Sequence, residues 1–214
     1  YTTGDIAFKP IASNGLFSGP VSIYQYNIKM SDSTKAANSF TVGNDKGTTT
    51  HTNEVTVVGD VSTSSGDIEM YGSNVRVYGN LTTSGTAQPI KLKASSDVYV
   101  YAGYTLKTNS GDVIIWSDSD VSNQGRIYLQ GNNNITTTNT AYTTAGATGG
   151  GRLIMAGGAA NGAGTEPTGF ATATDANNGI WIGNQGQNQT IWTGGGDIFV
   201  KGRVNYSSGN TGVS

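Results

Sequence analysis

The stretch SGDIEMYGSNVRVYGNLTTSG, residues 65–85, contains three short runs of alternating residues, each closed by glycine. Alternation with a period of two is typical of a β-strand that has one buried face, and glycine favours the bends between strands. Similar runs recur along the chain, three to each interval of about 22 residues. This stretch is therefore one unit of a repeat, and the repeat predicts the fold class.

Equivalent positions of successive units carry the same kind of side chain. The first run places two apolar residues on its inner face, as in Ile68/Met70, and the second run does the same, as in Val75/Val77. The third run has one recurring apolar residue, such as Leu81. Short strands that stack like above like are typical of a solenoid. We predict an all-β chain folded as a right-handed parallel β-helix, with three short strands in each of about nine coils.

The regularity of the repeat divides the chain into two parts of one continuous domain. Residues 54–214 follow the pattern closely, whereas residues 1–53 follow it only loosely. Residues 157–178, rich in Gly, Ala and Thr, interrupt one coil between its first and second strands. We expect this insertion to be a surface loop folded against the rod. Both ends of the sequence resemble continuing strands, so we expect a segment of a longer chain.

The composition argues against several classes of protein. Of 214 residues, 12% are charged, the net charge is -2 and there is no cysteine. The charge predicts no nucleic-acid partner, and the lack of cysteine excludes disulfides, zinc–thiolate sites and thiol nucleophiles. No apolar stretch approaches the roughly 18 residues of a membrane span, so we expect no direct membrane insertion.

The ionisable residues predict no catalytic site and no cofactor. The single histidine, His51, lies in a polar stretch, where we expect an exposed loop. Four aspartates open strands directly after glycine, a recurrence that predicts a corner role in which the side chain bonds its own backbone. These aspartates are Asp5, Asp67, Asp112 and Asp197. We therefore do not expect an enzyme.

One pair of carboxylates needs separate consideration as a metal site. Asp118 and Asp120 lie two residues apart in the stretch WSDSD. Calcium uses such pairs, but a dedicated loop supplies more oxygen ligands and a positioned glycine. We expect a polar corner here and predict no metal site.

Aromatic residues recur on the outward face and form the candidate ligand-binding site. On the second strand the stacked units present Arg76, Tyr99, Tyr128 and Trp181 in one column, with Tyr78 and Tyr101 in the next. On the first strand Trp116 lies beside an apolar column of Ile114, Ile154 and Phe199, which we expect residues 157–178 or a neighbouring domain to cover. The predicted ligand-binding residues are Tyr99, Tyr128, Trp181 and Trp116. Three interpretations remain open: the rings stack on sugars, they form an aromatic ladder that stabilises a flat β-face, or the insertion covers them.

With its units aligned, the sequence resembles the repeats of very large bacterial surface proteins. The general match is to filamentous-haemagglutinin-like adhesin repeats, through strands of the form SGD-[IV]-x-[apolar] and G-[NDR]-[VI]-x-[VL]. A closer similarity is to the giant adhesins of gliding and related Gram-negative bacteria, through GDVIIWSDSD, GRIYLQGNNNITT, GGGRLIMAGG and GGGDIFVKGR. The resemblance is good over residues 54–209 and weak before them.

This resemblance implies an extracellular rod on the cell surface, exported and used for adhesion and, in some members, for gliding motility. Its expected partners are neighbouring domains of the same chain and surface polysaccharide. The resemblance supplies no catalytic residue. The alternative from another class is a polysaccharide-binding or polysaccharide-cleaving β-helix module that uses the column of Tyr99, Tyr128 and Trp181.

Overall fold

The chain folds as a parallel β-helix, which confirms the predicted solenoid. The computed structural model describes residues 4–8, 37–45, 47, 50–139, 146, 148–174, 178–184 and 186–205, and the backbone of 21–24. Every regular element within these residues is a β-strand. The strands of successive coils pair in parallel with their equivalents, so three sheets run along the stack.

Three sheets and one short strand pair contain all the described strands. The first sheet consists of β1 (Ile6–Phe8), β3 (Phe40–Val42), β6 (Ile68–Gly72), β9 (Ile90–Ala94), β12 (Val113–Ser117), β15 (Leu153–Ala160), β16 (Pro167–Gly169) and β20 (Ile198–Val200). The second consists of β2 (Val21–Tyr24), β4 (Val55–Val58), β7 (Val75–Tyr78), β10 (Val98–Val100), β13 (Ile127–Leu129) and β18 (Ile180–Ile182). The third consists of β5 (Val61–Thr63), β8 (Leu81–Thr86), β11 (Thr105–Asn109), β14 (Asn134–Thr136) and β19 (Thr190–Trp192). The short pair consists of β17 (Ala171–Ala173) and β21 (Gly202–Val204).

The inward side chains of all three sheets form one hydrophobic core. Ile68 of β6 pairs with Ile90 of β9, which pairs in turn with Val113 of β12. Because equivalent apolar side chains lie above one another, each layer removes the next from water. Buried members of this core include Phe40, Val55, Val75, Leu81, Leu92, Val98, Leu106, Ile127, Ile135 and Met155. The alternation in the sequence predicted these positions correctly, except Phe40, which lies in the loosely repeating N-terminal part.

The apolar side chains are less buried at the two ends of the described coils. Among the described residues, β1 pairs only with β3 and β20 pairs only with β15. Phe8 on β1 is 41% exposed and Ile198 on β20 is 51% exposed, although both occupy predicted inward positions. A coil with a neighbour on one side only leaves part of its core open.

The insertion at 157–178 is more ordered than the predicted surface loop. Residues 157–160 extend β15, and β16 returns antiparallel to them. Gly157 makes this return possible, because a Cβ at that position would lie 2.5 Å from the carbonyl oxygen of Phe170. The chain then forms β17, which pairs in parallel with β21. Residues 175–177 lie outside the described part.

The described pieces of the N-terminal part join the same sheets. β1 pairs with β3, β3 pairs with β6, and β2 pairs with β4, each in parallel. Much of the predicted loose region, 1–53, lies outside the described residues. Where it is described, its strands follow the coil pattern.

Candidate functional site

Four outward side chains of the second sheet align in register across successive coils. Strand pairing places Arg76 beside Tyr99, Tyr99 beside Tyr128, and Tyr128 beside Trp181. The ring centroids of Tyr99 and Tyr128 are 6.0 Å apart, and those of Tyr128 and Trp181 are 5.9 Å apart. The guanidinium carbon of Arg76 lies 4.6 Å from the centroid of Tyr99. We call Tyr99, Tyr128 and Trp181 the aromatic column, and all three side chains are partly exposed.

A second pair of rings widens the aromatic surface on one side. Tyr78 and Tyr101 stack face to face, with centroids 3.8 Å apart and ring planes 18° apart. Tyr101 also lies 6.3 Å from Tyr99, and its hydroxyl accepts a hydrogen bond from Arg76 at 2.9 Å. Burial raises the pKa of Tyr78 to about 12. These contacts hold the rings of the surface in one arrangement.

Two carboxylates border the aromatic column, although the alignment of outward residues predicted none there. The Tyr99 hydroxyl donates to Asp97 Oδ2 at 2.7 Å, and the backbone N–H of Arg126 donates to Asp97 Oδ1 at 2.8 Å. Arg76, which lies over Tyr99, donates from Nε to Glu54 Oε2 at 2.8 Å. Both carboxylates lie at the position just before a strand of the second sheet. Each is paired with an arginine, so both serve to orient their neighbours.

A polar cavity of about 130 Å³ lies beside the column. One wall comes from the starts of β10 and β13, and the other comes from β17 of the insertion. Its polar lining side chains are Ser96, Asp97, Gln124, Arg126, Thr172 and Thr174. The sequence analysis did not single out these residues as a site. Their recurrence as polar residues before successive strands was a usable signal for Asp97 and Arg126, but nothing in the sequence linked them to Thr172.

Trp116 does not belong to the exposed aromatic surface, so the prediction that it binds ligand is wrong. Its side chain is fully buried. The indole Nε1 donates to the carbonyl oxygen of Gly158 at 2.8 Å, and Lys93 Nζ lies 4.1 Å from the ring centroid. The start of the insertion covers this part of the first sheet, and a ligand arriving from solvent cannot stack on the ring.

The outer face of the first sheet is therefore a second interior layer. Ile114 and Ile154 are buried in a cluster with Trp116, against which Ala160 of the insertion packs. The predicted cover over the apolar column thus exists at these two positions, whereas Phe199 stays 44% exposed. The insertion is held in place by Arg152, which pairs with both Asp112 and Glu166.

A buried lysine lies within this layer. Lys93 is fully buried on β9, and its Nζ contacts Asp45 Oδ1 at 2.6 Å. Burial lowers the pKa of Lys93, and the contact with Asp45 opposes that shift. His51, predicted to be an exposed loop residue, is instead 5% exposed and stacks near Tyr71 at 6.4 Å. Both contacts fix residues of the 37–53 region over the first sheet.

Asp118 forms the polar corner that the sequence predicted. Its Oδ1 accepts hydrogen bonds from Ser122 Oγ and from the backbone N–H of Gln124, at 3.3 and 3.2 Å. Burial raises the pKa of Asp118. Asp120 accepts hydrogen bonds from Thr50 and from the backbone N–H of Ser122. Within the described residues, no three His, Cys, Asp or Glu side chains are grouped to hold a metal ion.

A column of buried threonines was missed by the sequence analysis. Each threonine lies within a strand of the third sheet or directly follows it, is buried, and donates its hydroxyl to a backbone carbonyl oxygen further along the chain. The donor and acceptor residues are Thr63 and Gly66, Thr83 and Gln88, Thr108 and Gly111, Thr137 and Gly151, and Thr193 and Gly196. The available signal was the alternation itself, which places each threonine two residues after the apolar residue of the third run.

Comparison with protein-family models, characterised proteins and solved structures reveals no significant match to the chain. Within the described residues, no helix has the length and apolarity needed to cross a membrane. Functional interpretation therefore depends on the geometry of the aromatic column and the cavity beside it.

Proposed function

We propose that the chain is a rigid segment of an exported cell-surface adhesin that binds glycans through the aromatic column. The observation that carries this proposal is the column itself, with one partly exposed ring in each of three consecutive coils. A parallel β-helix repeats its strands at about 4.8 Å, so the rings follow a straight line along the coil axis. Such a line suits an extended polysaccharide better than a compact ligand.

Trp181 is the residue at which stacking on a sugar is expected to be strongest. Tyr128 lies between Tyr99 and Trp181, so neighbouring rings occupy the space on both of its sides. Trp181 is the last ring of the column, and within the described part of the chain only Tyr128 stacks on it. The electron-rich face of an indole attracts the C–H groups of a pyranose. The tyrosines then contribute ring edges and hydroxyls to the remaining sugar units.

The polysaccharide-cleaving alternative has weaker support. Glycoside hydrolysis needs one carboxyl group that donates a proton and a second that acts as base or nucleophile. Asp97 and Glu54 lie near the column, but each is already engaged by an arginine, Arg126 and Arg76 respectively. We therefore propose binding without cleavage.

The test is a glycan-array measurement on the purified chain. We expect the double variant Tyr128→Ala/Trp181→Ala to lose glycan binding while keeping the thermal unfolding temperature close to that of the parent. Trp192→Ala is the matched control, since Trp192 is a partly exposed tryptophan on the third sheet. Loss of binding in both variants, or binding by neither parent nor variant, contradicts a glycan site on the column. Reducing ends released from a bound polysaccharide would favour the cleaving module.

Cell-surface location and a contribution to gliding motility belong to the same proposal and rest on the repeat resemblance. The neighbouring domains of a longer chain are then the partners that hold this segment away from the cell. Antibody labelling of intact cells that express the parent chain tests the location. Labelling that appears only after the cells are lysed would contradict it.

A further inference from the structure

The polar cavity and the aromatic column form one continuous surface. Asp97 lines the cavity and also accepts the hydrogen bond from the Tyr99 hydroxyl, so it belongs to both. Arg126 lines the cavity two residues before Tyr128 of the column. A chain-like ligand lying on the rings therefore has a polar recess directly beside it.

The far wall of the cavity is a rigid part of the insertion. The backbone N–H of Gly125 donates to the carbonyl oxygen of Thr172 at 2.7 Å, and the N–H of Thr172 donates back to Gly125 at 2.6 Å. Arg203 Nε donates to Thr172 Oγ1 at 3.1 Å, which ties the wall to the final coil. The insertion thus closes a recess that the regular coils alone lack.

The chemistry of the recess suits hydroxyl groups. Asp97 offers a carboxylate acceptor, Arg126 a guanidinium donor and Gln124 an amide with both functions. Planar groups of this kind bind two neighbouring hydroxyls at once. The volume of about 130 Å³ accommodates about four water molecules, a number that the hydroxyl-bearing edge of one sugar ring displaces. Because Asp97 and Arg126 offset each other in charge, the recess favours a neutral sugar over an acidic one.

We propose that this cavity binds the adjacent hydroxyl groups of one pyranose unit of a neutral glycan, while the aromatic column supports the neighbouring units. The proposal rests on the glycan-binding function proposed above and adds the ligand class and its polar contacts. It also assigns a role to the insertion, whose β17 completes the site.

The experiment measures binding of neutral oligosaccharides (cello-, manno-, galacto- and xylo-oligosaccharides) by isothermal titration. We expect Gln124→Ala and Asp97→Asn each to weaken binding about tenfold, the effect of losing one or two hydrogen bonds to the ligand. Asn at position 97 keeps an oxygen acceptor for the Arg126 N–H. Gln130→Ala is the control, because Gln130 directly follows β13 and does not line the cavity.

Two further probes separate this proposal from the general function. O-methylated oligosaccharides keep the ring that stacks but lose their hydroxyl donors, so we expect them to bind the parent about as weakly as unmodified sugars bind Gln124→Ala. Oligogalacturonides test the preference for neutral sugars. If Trp181→Ala abolishes binding while Gln124→Ala and Asp97→Asn match the control, the cavity proposal is overturned and the proposed function stands. If no oligosaccharide binds the folded parent, both fail.

Discussion

The carboxylate of Asp112 accepts a hydrogen bond from the backbone N–H of Arg152, the residue at the matching position one coil further on, at 2.7 Å. The expectation that the side chain bonds its own backbone is therefore wrong for Asp112, and the same contact recurs at other strand starts. Further examples are Asp60 with Asn80, Asn80 with Thr105, Asn74 with Asp97, and Asp97 with Arg126. Polar residues before the strands therefore tie each coil to the next and supplement the sheet hydrogen bonds.

Replacing Asp112 should destabilise the stack more than replacing Asp67, which occupies the equivalent position two coils earlier. Asp112→Ala leaves the Arg152 backbone N–H without its acceptor and the guanidinium with Glu166 alone, and we expect a loss of about 1–2 kcal/mol in the free energy of unfolding. Asp67 occupies the same position, but the residue that follows it one coil on is Pro89, which has no N–H to donate. We therefore expect Asp67→Ala to cost no more than about 0.5 kcal/mol. Guanidinium-induced unfolding measures the stability of both variants. Equal losses would show that the hydrogen bond from the Arg152 N–H to Asp112 is unimportant.

The buried threonines should be sensitive to loss of the hydroxyl. Thr108→Val keeps the shape of the side chain but leaves the carbonyl oxygen of Gly111 without its donor in a buried corner. We expect the free energy of unfolding to fall by about 1–3 kcal/mol. Thr108→Ser keeps the hydroxyl and should therefore lose much less stability. The control is Thr82→Val on the outward face of β8, which should be nearly neutral. A neutral Thr108→Val would mean that the corner carbonyl finds another donor.

Local sequence patterns identified the core and the need for a cover over Ile114 and Ile154, but not the contacts that form the layers around the core. Alternation located Ile68 and Val75 because burial of one strand face has a period of two. It gave no warning that Trp116 is covered, because the group that bonds its indole, Gly158, lies 42 residues away along the chain. Asp45 likewise lies 48 residues from Lys93. Contacts between segments so far apart depend on how the insertion and the first coils fold back, which no periodicity encodes.

The candidate site divides in the same way. The column of Tyr99, Tyr128 and Trp181 follows from strand register, so aligning the repeats was enough to predict it. The cavity beside it requires Thr172, which reaches the start of β13 through the insertion. In a site built from regular coils and an irregular insertion, the sequence therefore predicts only the part that the coils supply.

The contact between the buried ammonium of Lys93 and the carboxylate of Asp45, whose side chain is 31% exposed, should be costly to break from one side. Asp45→Ala removes the ion-pair partner of that ammonium group, and we expect a loss of about 1–3 kcal/mol in the free energy of unfolding. In the double variant Lys93→Met/Asp45→Ala the charge is gone and an apolar chain fills the space beneath Trp116. We expect this double variant to be more stable than Asp45→Ala alone. Urea unfolding of the two variants and of Lys93→Met provides the comparison, and additive losses would argue against an unpaired buried charge.

Glu69 should make stability decline as the pH rises from mildly acidic values. Burial raises the pKa of Glu69 above its ordinary value of 4.5, so the folded protein keeps a proton that the unfolded chain releases. The stabilising contribution is full below pH 4.5 and is lost as the pH rises through the raised pKa.

The charged and titratable groups that influence Glu69 are Tyr71, Asp67, Lys91 and Asp45. Glu69→Gln removes the titrating group and retains a polar side chain of similar size. We expect the unfolding free energy of the parent to increase relative to that of Glu69→Gln as the pH falls. Urea unfolding at a series of pH values from 4 upward measures this difference. A difference that stays constant across the series would mean that Glu69 has the same proton affinity in the folded and unfolded chains.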